Sequence, residues 1–235
     1  RYPALIIVVM IGVIFVLMWQ VVPKLIGIFT DFGGLPPATQ MLVNASDFVQ
    51  NYWYLFFIIP FLFTSTLTAW RKTEHGLYIT DKILLKTPGV GQLLEKIIIS
   101  RFSRLLASLM SSGVSIVEAL RIISGALGNE VYRQRVLLLR DDVTRGVTMG
   151  TSLENDPLFP DMVTQMIKVG EETAKIDSII IKVADFYDEE VDGAVSAINK
   201  IIEPVIIVTM AVVVGFIAYA IMSPIMQLSD VISQQ

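Results

Sequence analysis

The residues of this chain that could do chemistry are carboxylates, and they cluster late in the sequence. Asp185, Asp188, Glu189 and Asp192 fall on one helical stripe, and carboxylate oxygens are ligands that Ca²⁺ and Mg²⁺ prefer. Helical spacing alone builds no cage around an ion, so we interpret the stripe as a solvated acidic face and predict no metal site. The sequence has no cysteine and one histidine, His75, which excludes a thiol nucleophile and a Cys- or His-based metal site.

The sequence also lacks a phosphate-binding loop. The nearest candidate, GVGQLLEK at 89–96, has neither the second glycine nor the Lys-Ser/Thr pair of that motif. Any work driven by ATP must therefore come from another protein, and we predict a chain that is not an enzyme and uses no cofactor. The formal net charge of −4 gives no argument for nucleic acid, so no direct nucleic-acid partner is predicted.

The composition indicates a membrane protein. Hydrophobic residues make up 54% of the 235, and the mean hydropathy of +0.65 exceeds that of an ordinary globular domain. Three runs approach the length that crosses a hydrocarbon core of ~30 Å, and we predict transmembrane helices over 1–22, 53–70 and 204–223. The second run is predicted to kink at Pro60, and its Ser and Thr hydroxyls to bond their own helix or a neighbouring one.

The lysines and arginines orient these spans. Of the 18 in the chain, 16 lie between residues 71 and 200, one lies in the segment 23–52 and none in the tail 224–235. The positive-inside rule then predicts that 71–203 is cytoplasmic, with the 23–52 loop and the tail on the opposite side. Paired glycines and prolines break the loop before helix-like sequence resumes at Thr39. A plain connector and a binding surface both remain open for it.

Apolar residues repeat at spacings of three and four through the cytoplasmic region, which predicts a bundle of about six helices and no strands. The fold class is therefore all-α, a polytopic membrane protein with three transmembrane helices and a cytoplasmic six-helix bundle. Gly113 suits a left-handed helix end, and Ser115 with Glu118 has the spacing of a capping box. The predicted helices are 77–87, 91–112, 115–127, 130–145, a short one near Ser152, 161–172, and a last one from near Asp177.

The last helical pattern runs without a clear stop as far as Pro204. We predict one helix from Asp177 to Met222 with a kink at Pro204, reaching roughly 70 Å at about 1.5 Å per residue. Such a helix would couple movement in the bundle mechanically to the membrane. Glu203 lies at the membrane edge, and its predicted role is to stabilise the N-terminal dipole of the third span, with a functional role left open.

Charge divides the cytoplasmic region into two halves. Residues 71–145 contain 12 Lys or Arg against 7 Asp or Glu, whereas residues 146–203 contain 4 against 12. Complementary faces packed within the bundle, or simply solvated faces, are the first interpretation. Docking surfaces for charged protein partners are the second.

Several motifs occur in a characteristic order. They are FGGLPPAT at 32–39, RFSRLLASLMSSGVSIVEAL at 101–120, GTSL at 150–153, LFPDMVTQMIKVGEE at 158–172 and IIEPVII at 201–207. With its topology, this series resembles the inner-membrane platform proteins of type IV pili and type II secretion systems, called PilC and GspF. The likeness covers essentially the whole chain and implies the C-terminal part of such a protein, in keeping with a first residue, Arg1, that is not Met. Its motif residues here are Leu35, Pro36, Gly113, Ser115, Glu118, Phe159, Pro160, Gly170, Glu171, Glu203 and Pro204.

The chain departs from the family pattern at Ala174, where the family usually has glycine. Because a positive φ is costly for alanine, we expect the flanking helices to join more continuously here.

The resemblance implies a non-enzymatic platform in the bacterial inner membrane, with the loop and tail in the periplasm. Its implied partners are a cytoplasmic assembly or retraction ATPase, pilin or pseudopilin subunits, other inner-membrane machine components, the lipid bilayer and further copies of itself. From charge alone, we place the ATPase contact at Arg101, Arg104 and Arg121.

Two other functions compete with this one. A transporter or channel subunit predicts ionisable residues inside the spans and often inverted repeats, whereas the three apolar runs contain no internal Asp, Glu, Lys, Arg or His. A sensor would need an outer ligand domain, for which the 23–52 loop is too short.

Overall fold

The computed structural model describes residues 2–23 and 37–232, and all regular structure in these ranges is helical. The predicted all-α class is therefore confirmed. Two units are distinguished: an apolar unit, residues 1–65 with 198–235, and a bundle unit, residues 66–197. The predicted Leu35 and Pro36 lie outside the described residues.

The helices follow the predicted order. They are α1 (Tyr2–Val16), a π-helical turn (Leu17–Val21), α2 (Pro37–Tyr52), α3 (Leu55–Arg71), α4 (Glu74–Lys86), α5 (Val90–Ser111), α6 (Ile116–Ala126), α7 (Glu130–Thr144), α8 (Met149–Ser152), α9 (Asp161–Glu172) and α10 (Ile176–Ile232). The helix α9 has the predicted bounds. The helix α4 begins three residues earlier than predicted, because the Thr73 hydroxyl caps it by accepting a hydrogen bond from Gly76 N at 3.1 Å.

The predicted continuity of the last helix is confirmed. Within α10 no loop separates Ser196 from Val205, and the helix has residues in both units. Of the described helices, α10 is the one that is long and apolar enough by itself to cross a membrane, with a mean hydropathy of 2.5 in its most apolar window. The helices α2 and α3 meet the same test only as a pair, across a bend of 61°, and the apolar run in α1 is shorter.

A single aromatic cluster lies at the centre of the bundle unit. Phe159 is buried, and its ring packs edge-on against Phe102 and Tyr132, with ring centroids 5.2 and 5.9 Å apart. The Tyr132 hydroxyl donates to Leu158 O at 2.8 Å, so this buried polar atom has a partner. Burial chiefly raises the pKa of the Tyr132 phenol far above its usual range. The motif residue Phe159 therefore joins α5 and α7 to the loop before α9.

The apolar unit is held by hydroxyl groups that replace missing proline N–H groups. In α10, Ala220 O would accept from residue 224, but that residue is Pro224, and the Thr39 hydroxyl donates instead at 2.6 Å. In the π-helical turn the spacing is five residues, so Met18 O would accept from Pro23. The Ser46 hydroxyl donates to Met18 O at 2.7 Å. Both donors lie on α2, which therefore satisfies one free carbonyl in each of two other helices.

In α3, the Thr64 hydroxyl donates to Pro60 O at 2.8 Å and Phe61 O at 3.0 Å. Of the two predicted alternatives for this residue, the structure thus shows a hydroxyl bonded to its own helix.

We predict that Thr39→Val destabilises the purified chain by about 1–3 kcal/mol, because the buried Ala220 carbonyl loses its donor while the side-chain volume is kept. The measurement is thermal unfolding in detergent. Thr209→Val is the matched control, since the exposed Thr209 hydroxyl donates to Val205 O within a continuous helix; its expected change is below about 0.5 kcal/mol. In a Pro224→Ala background the backbone donor returns, and Thr39→Val should then cost little. An equal cost in both backgrounds would contradict the assignment.

Candidate interaction site

Polar side chains on one stripe of α5 meet two residues of the predicted acidic stripe, Asp185 and Asp188, together with Glu190. Lys96 Nζ lies 2.6 Å from Glu190 Oε2, and Arg104 Nη2 lies 3.0 Å from Asp185 Oδ1. Ser100 and Arg104 both donate to Asp188. The contacts run in opposite directions along the two helices, so α5 and this part of α10 are antiparallel. We call this set of contacts the α5–α10 ladder.

The ladder favours the charged forms of Asp188 and Arg104. The Ser100 hydroxyl, followed by Arg104, lowers the pKa of the Asp188 carboxyl. Hydrogen bonds to Asp188 and Asp185 raise the pKa of the Arg104 guanidinium. The basic and acidic halves of the sequence thus meet within the bundle at these positions, as the first interpretation of the charge division holds. In the ranges the structure describes, no group of three or more His, Asp or Glu is arranged to hold a metal ion.

The three arginines that were proposed on the basis of charge have different partners in the structure. Arg104 belongs to the ladder. Arg101 Nη1 donates to Ala126 O and Leu127 O, each at 3.4 Å, where α6 ends. Arg121 pairs with Glu118 one turn earlier, Nε to Oε2 at 2.8 Å, and this hydrogen bond lowers the pKa of the Glu118 carboxyl. Each arginine has a structural contact, and an ATPase contact at these residues stays a prediction.

The turn between α5 and α6 has the predicted chemistry in part. Gly113 has a φ of +78°, and its N–H donates to Met110 O at 3.0 Å while Val114 N donates to Leu109 O at 3.0 Å, which is a Schellman motif. The Ser115 hydroxyl accepts from Glu118 N at 3.4 Å. The Glu118 side chain, expected to complete the capping box, accepts from Arg121 instead.

Three motif residues meet at one joint between α8 and α9. The Glu171 carboxylate accepts from Met149 N at 2.6 Å and Gly150 N at 2.8 Å, so it caps α8 from another helix. A side chain at Gly150 would place its Cβ 2.8 Å from Lys168 Cβ, and one at Gly170 would place it 3.0 Å from Ile176 Cα. The glycines are therefore required by close approach of the helices, and Glu171 by the exposed N–H groups of α8. Pro160 stands at the N-cap of α9.

The expectation at Ala174 is wrong. Ala174 has a φ of +53°, α9 ends at Glu172 and α10 begins at Ile176, so the two helices do not join. Ala174 N donates to Glu171 O at 3.2 Å and Lys175 N to Gly170 O at 2.9 Å, which completes a Schellman motif of the kind formed at Gly113. The motif's two hydrogen bonds and the close approach at Gly170 hold alanine in a conformation that glycine adopts without strain.

We predict that Ala174→Gly stabilises the chain by up to about 1 kcal/mol, because relief of the left-handed strain exceeds the extra backbone entropy of glycine. The measurement is the melting temperature in detergent, expected to rise by about 2–4 °C. Ala197→Gly, at an exposed position inside α10, is the matched control and should lower stability by about 1 kcal/mol. A similar loss in both variants would show that Ala174 carries no strain.

The predicted dipole role of Glu203 is also wrong. Glu203 and Pro204 lie inside α10 with both side chains exposed. Because α10 continues through them, no helix N-terminus exists there for the Glu203 carboxylate to stabilise.

Asp81 was missed by the sequence analysis. It is buried on α4, where Oδ1 lies 2.9 Å from Arg71 Nη2 and Oδ2 accepts from Glu130 N at 2.8 Å. It therefore joins the end of α3 to the start of α7. No local signal identifies it, because an aspartate between Thr80 and Lys82 is typical of an exposed helix face.

We predict that Asp188→Asn lowers stability by about 1 kcal/mol at pH 7, because the variant loses its charge-assisted contacts with Ser100 and Arg104. The folded-state pKa of Asp188 lies below its unfolded value. Its stabilisation is therefore complete above the unfolded pKa and is lost as the pH falls through the folded pKa. Unfolding curves of wild type and variant should converge at low pH. Glu189→Gln, next to it and exposed, should show no such pH-dependent difference.

The fold is that of an all-helical protein in which one helix of membrane-spanning length and composition has residues in both a polar bundle and an apolar unit. Residues 102–224 match the family model described as type II secretion system (T2SS), protein F. The chain belongs to this family.

Curated relatives come from two kinds of machine. The chain is 38% identical to the type IV pilus assembly protein TapC of Aeromonas hydrophila, over 98% of this chain and 56% of that protein. It is 36% identical to the type IV pilus assembly protein PilC of Pseudomonas aeruginosa, over 98% of this chain and 62% of that protein. It is 30% identical to the type II secretion system protein F of Vibrio cholerae, over 99% and 58%. The chain thus spans a little over half the length of these relatives.

Proposed function

We propose that this chain acts as part of an inner-membrane platform protein in a type IV pilus or type II secretion machine. In this role it couples a cytoplasmic hexameric ATPase to the extraction and polymerisation of pilin-like subunits. Membership of the family supports the assignment to a pilus or secretion machine. The observation that supports the coupling is α10, one continuous helix with residues in both the bundle unit and the apolar unit.

The topology belongs to the same proposal. Residues 1–22, 53–70 and 204–223 cross the bacterial inner membrane, 71–203 is cytoplasmic, and the loop 23–52 and tail 224–235 are periplasmic. The helix α3 supports this, because it has no buried residue. Its exposed side chains include Phe57, Phe61 and Phe63, which are costly in water and stable in lipid. In the bilayer, further copies of the chain and pilin-like helices compete with lipid for these faces.

The ladder supplies the mechanical step. A displacement that the ATPase imposes on α5 is passed to α10 through Lys96, Ser100 and Arg104, because these three side chains lie on successive turns of α5 and all contact α10. A helix resists bending over short distances, so α10 carries the displacement towards its apolar part. No bond is made or broken in this chain, and the energy comes from the ATPase.

The ATPase contact is placed on the basic half at Arg101, Arg104 and Arg121. The Arg121 side chain is 59% exposed and that of Arg104 is 49% exposed. We predict that charge reversal of all three reduces co-purification of the assembly ATPase and stops pilus or pseudopilus assembly, because complementary charge steers and orients such contacts. Intact co-purification and assembly would show that the contact lies elsewhere.

A charge swap separates contact from folding. Arg104→Glu alone also disrupts the ladder, whereas Arg104→Glu with Asp185→Arg and Asp188→Arg returns opposite charges to the two helices. If the swap restores the melting temperature but not ATPase binding, Arg104 touches the ATPase. If it restores both, Arg104 acts through the ladder alone.

A further inference from the structure

The lysines around α4 differ from the arginines of the bundle unit. Every arginine of the described bundle unit, and Lys96, forms an ion pair with a carboxylate or donates to a carbonyl within the chain. Among the described residues of the bundle unit, six lysines form no ion pair. They are Lys72, Lys82, Lys86, Lys168, Lys175 and Lys182. Half of these six lie in the short stretch 72–86, directly after α3.

These lysines share a face with an exposed apolar side chain. Ile83 and Lys86 are three residues apart, on the side of α4 opposite the buried Asp81, and Lys82 is four residues before Lys86, beside that side; all three are exposed. The Ile83 side chain is 60% exposed. Lys82 Nζ lies 5.5 Å from the centroid of the Tyr78 ring, which leaves its charge without a carboxylate. Of the two acids of α4, Asp81 is buried and Glu74, in the first turn, is exposed. The exposed surface of α4 is therefore net positive.

The start of α4 is bent back against the end of α3. A side chain at Gly76 would place its Cβ 2.2 Å from Trp70 O and 2.3 Å from the Trp70 ring, so only glycine permits this elbow. A helix that continued α3 would carry Asp81 about 15 Å further along the axis than Arg71, but their charged atoms lie 2.9 Å apart. The lysine face is therefore kept close to Trp70, whose ring is exposed at the last turn of α3.

We propose that the exposed face of α4, with Lys72 at the elbow, binds the anionic phospholipid headgroups of the leaflet from which α3 emerges. An exposed isoleucine flanked by lysines is the pattern of a helix that lies in a membrane surface, with the apolar side chain among the acyl chains and the ammonium groups at the phosphates. Trp70 marks the same depth, since tryptophan prefers the interface. The proposal rests on α3 crossing the membrane, which belongs to the proposed function.

The test uses the full chain, whose lack of cysteine permits single-cysteine labelling without further changes. An environment-sensitive fluorophore is attached at Ile83→Cys, and the protein is placed in nanodiscs of phosphatidylcholine alone or with about one-third phosphatidylglycerol. Quenching by lipids with a spin label near the headgroup should rise at least about two-fold in the anionic bilayers, since each lysine near an anionic surface strengthens binding of the segment by about five-fold. The rise should disappear in 1 M salt, where the Debye length is about 3 Å.

Matched variants identify the lysines. Lys72→Glu, Lys82→Glu and Lys86→Glu together should abolish the rise, whereas Lys168→Glu, Lys175→Glu and Lys182→Glu should leave it unchanged. A label at Leu138→Cys, on α7 and 59% exposed, should show no dependence on anionic lipid. Equal quenching of the Ile83 label in both bilayers would overturn the proposal, and so would equal effects of the two lysine sets. Equal quenching is also the result expected if this face binds an acidic protein and not lipid.

A label in α3 separates the two proposals. Phe61→Cys should be quenched by lipids that carry the spin label deep in the acyl chain. If the α3 label is quenched and the α4 label does not respond to anionic lipid, the headgroup site is wrong while the span stands. If the α3 label is not quenched, the proposed topology is wrong, and the headgroup site that rests on it is wrong as well.

Discussion

The α5–α10 ladder is the interaction on which the rest of this structure depends. The helix α10 has residues in both units, and the ladder fixes its bundle part to α5 through side chains on three successive turns of α5. The apolar side chains of Ile180 and Val183 join the core on the same helix. Apolar packing holds α10 near the bundle without strict register, whereas ion pairs and hydrogen bonds match particular residues, so the ladder sets how α10 is placed along α5.

The residues that resemble family motifs are chiefly architectural where the structure describes them. Phe159 fills the aromatic centre of the core, and Gly150, Gly170 and Glu171 form the joint at α8. Such residues tolerate few replacements, because a buried ring, a close backbone approach and a cap offered from another helix each allow one kind of side chain. The surface that meets a partner can vary with that partner, and charge reports on it more directly than the motifs do.

Local signals predicted much of the fold. Apolar periodicity located the helices of the bundle, and the cap at Ser115 and the turn at Gly113 followed from residue type and spacing, since each depends on neighbours within one or two turns. Contacts between distant segments could not be predicted in this way. Asp81 looks like a surface residue until α7 is placed beside it. Ala174 keeps a costly φ because hydrogen bonds around it outweigh its own preference, and Glu203 needed the continuity of α10 to be interpreted.

The pairing of hydroxyls with prolines in the apolar unit limits how such proteins can be recombined. The Thr39 hydroxyl replaces the N–H that Pro224 lacks, and the Ser46 hydroxyl replaces the one that Pro23 lacks, although the members of each pair lie on different helices. A chimera that takes α2 from a relative but keeps α1 and α10 would inherit donors and acceptors that no longer correspond, even with hydrophobicity and length conserved. Grafts between a pilus protein and a secretion protein should therefore exchange α1, α2 and the end of α10 as one cassette.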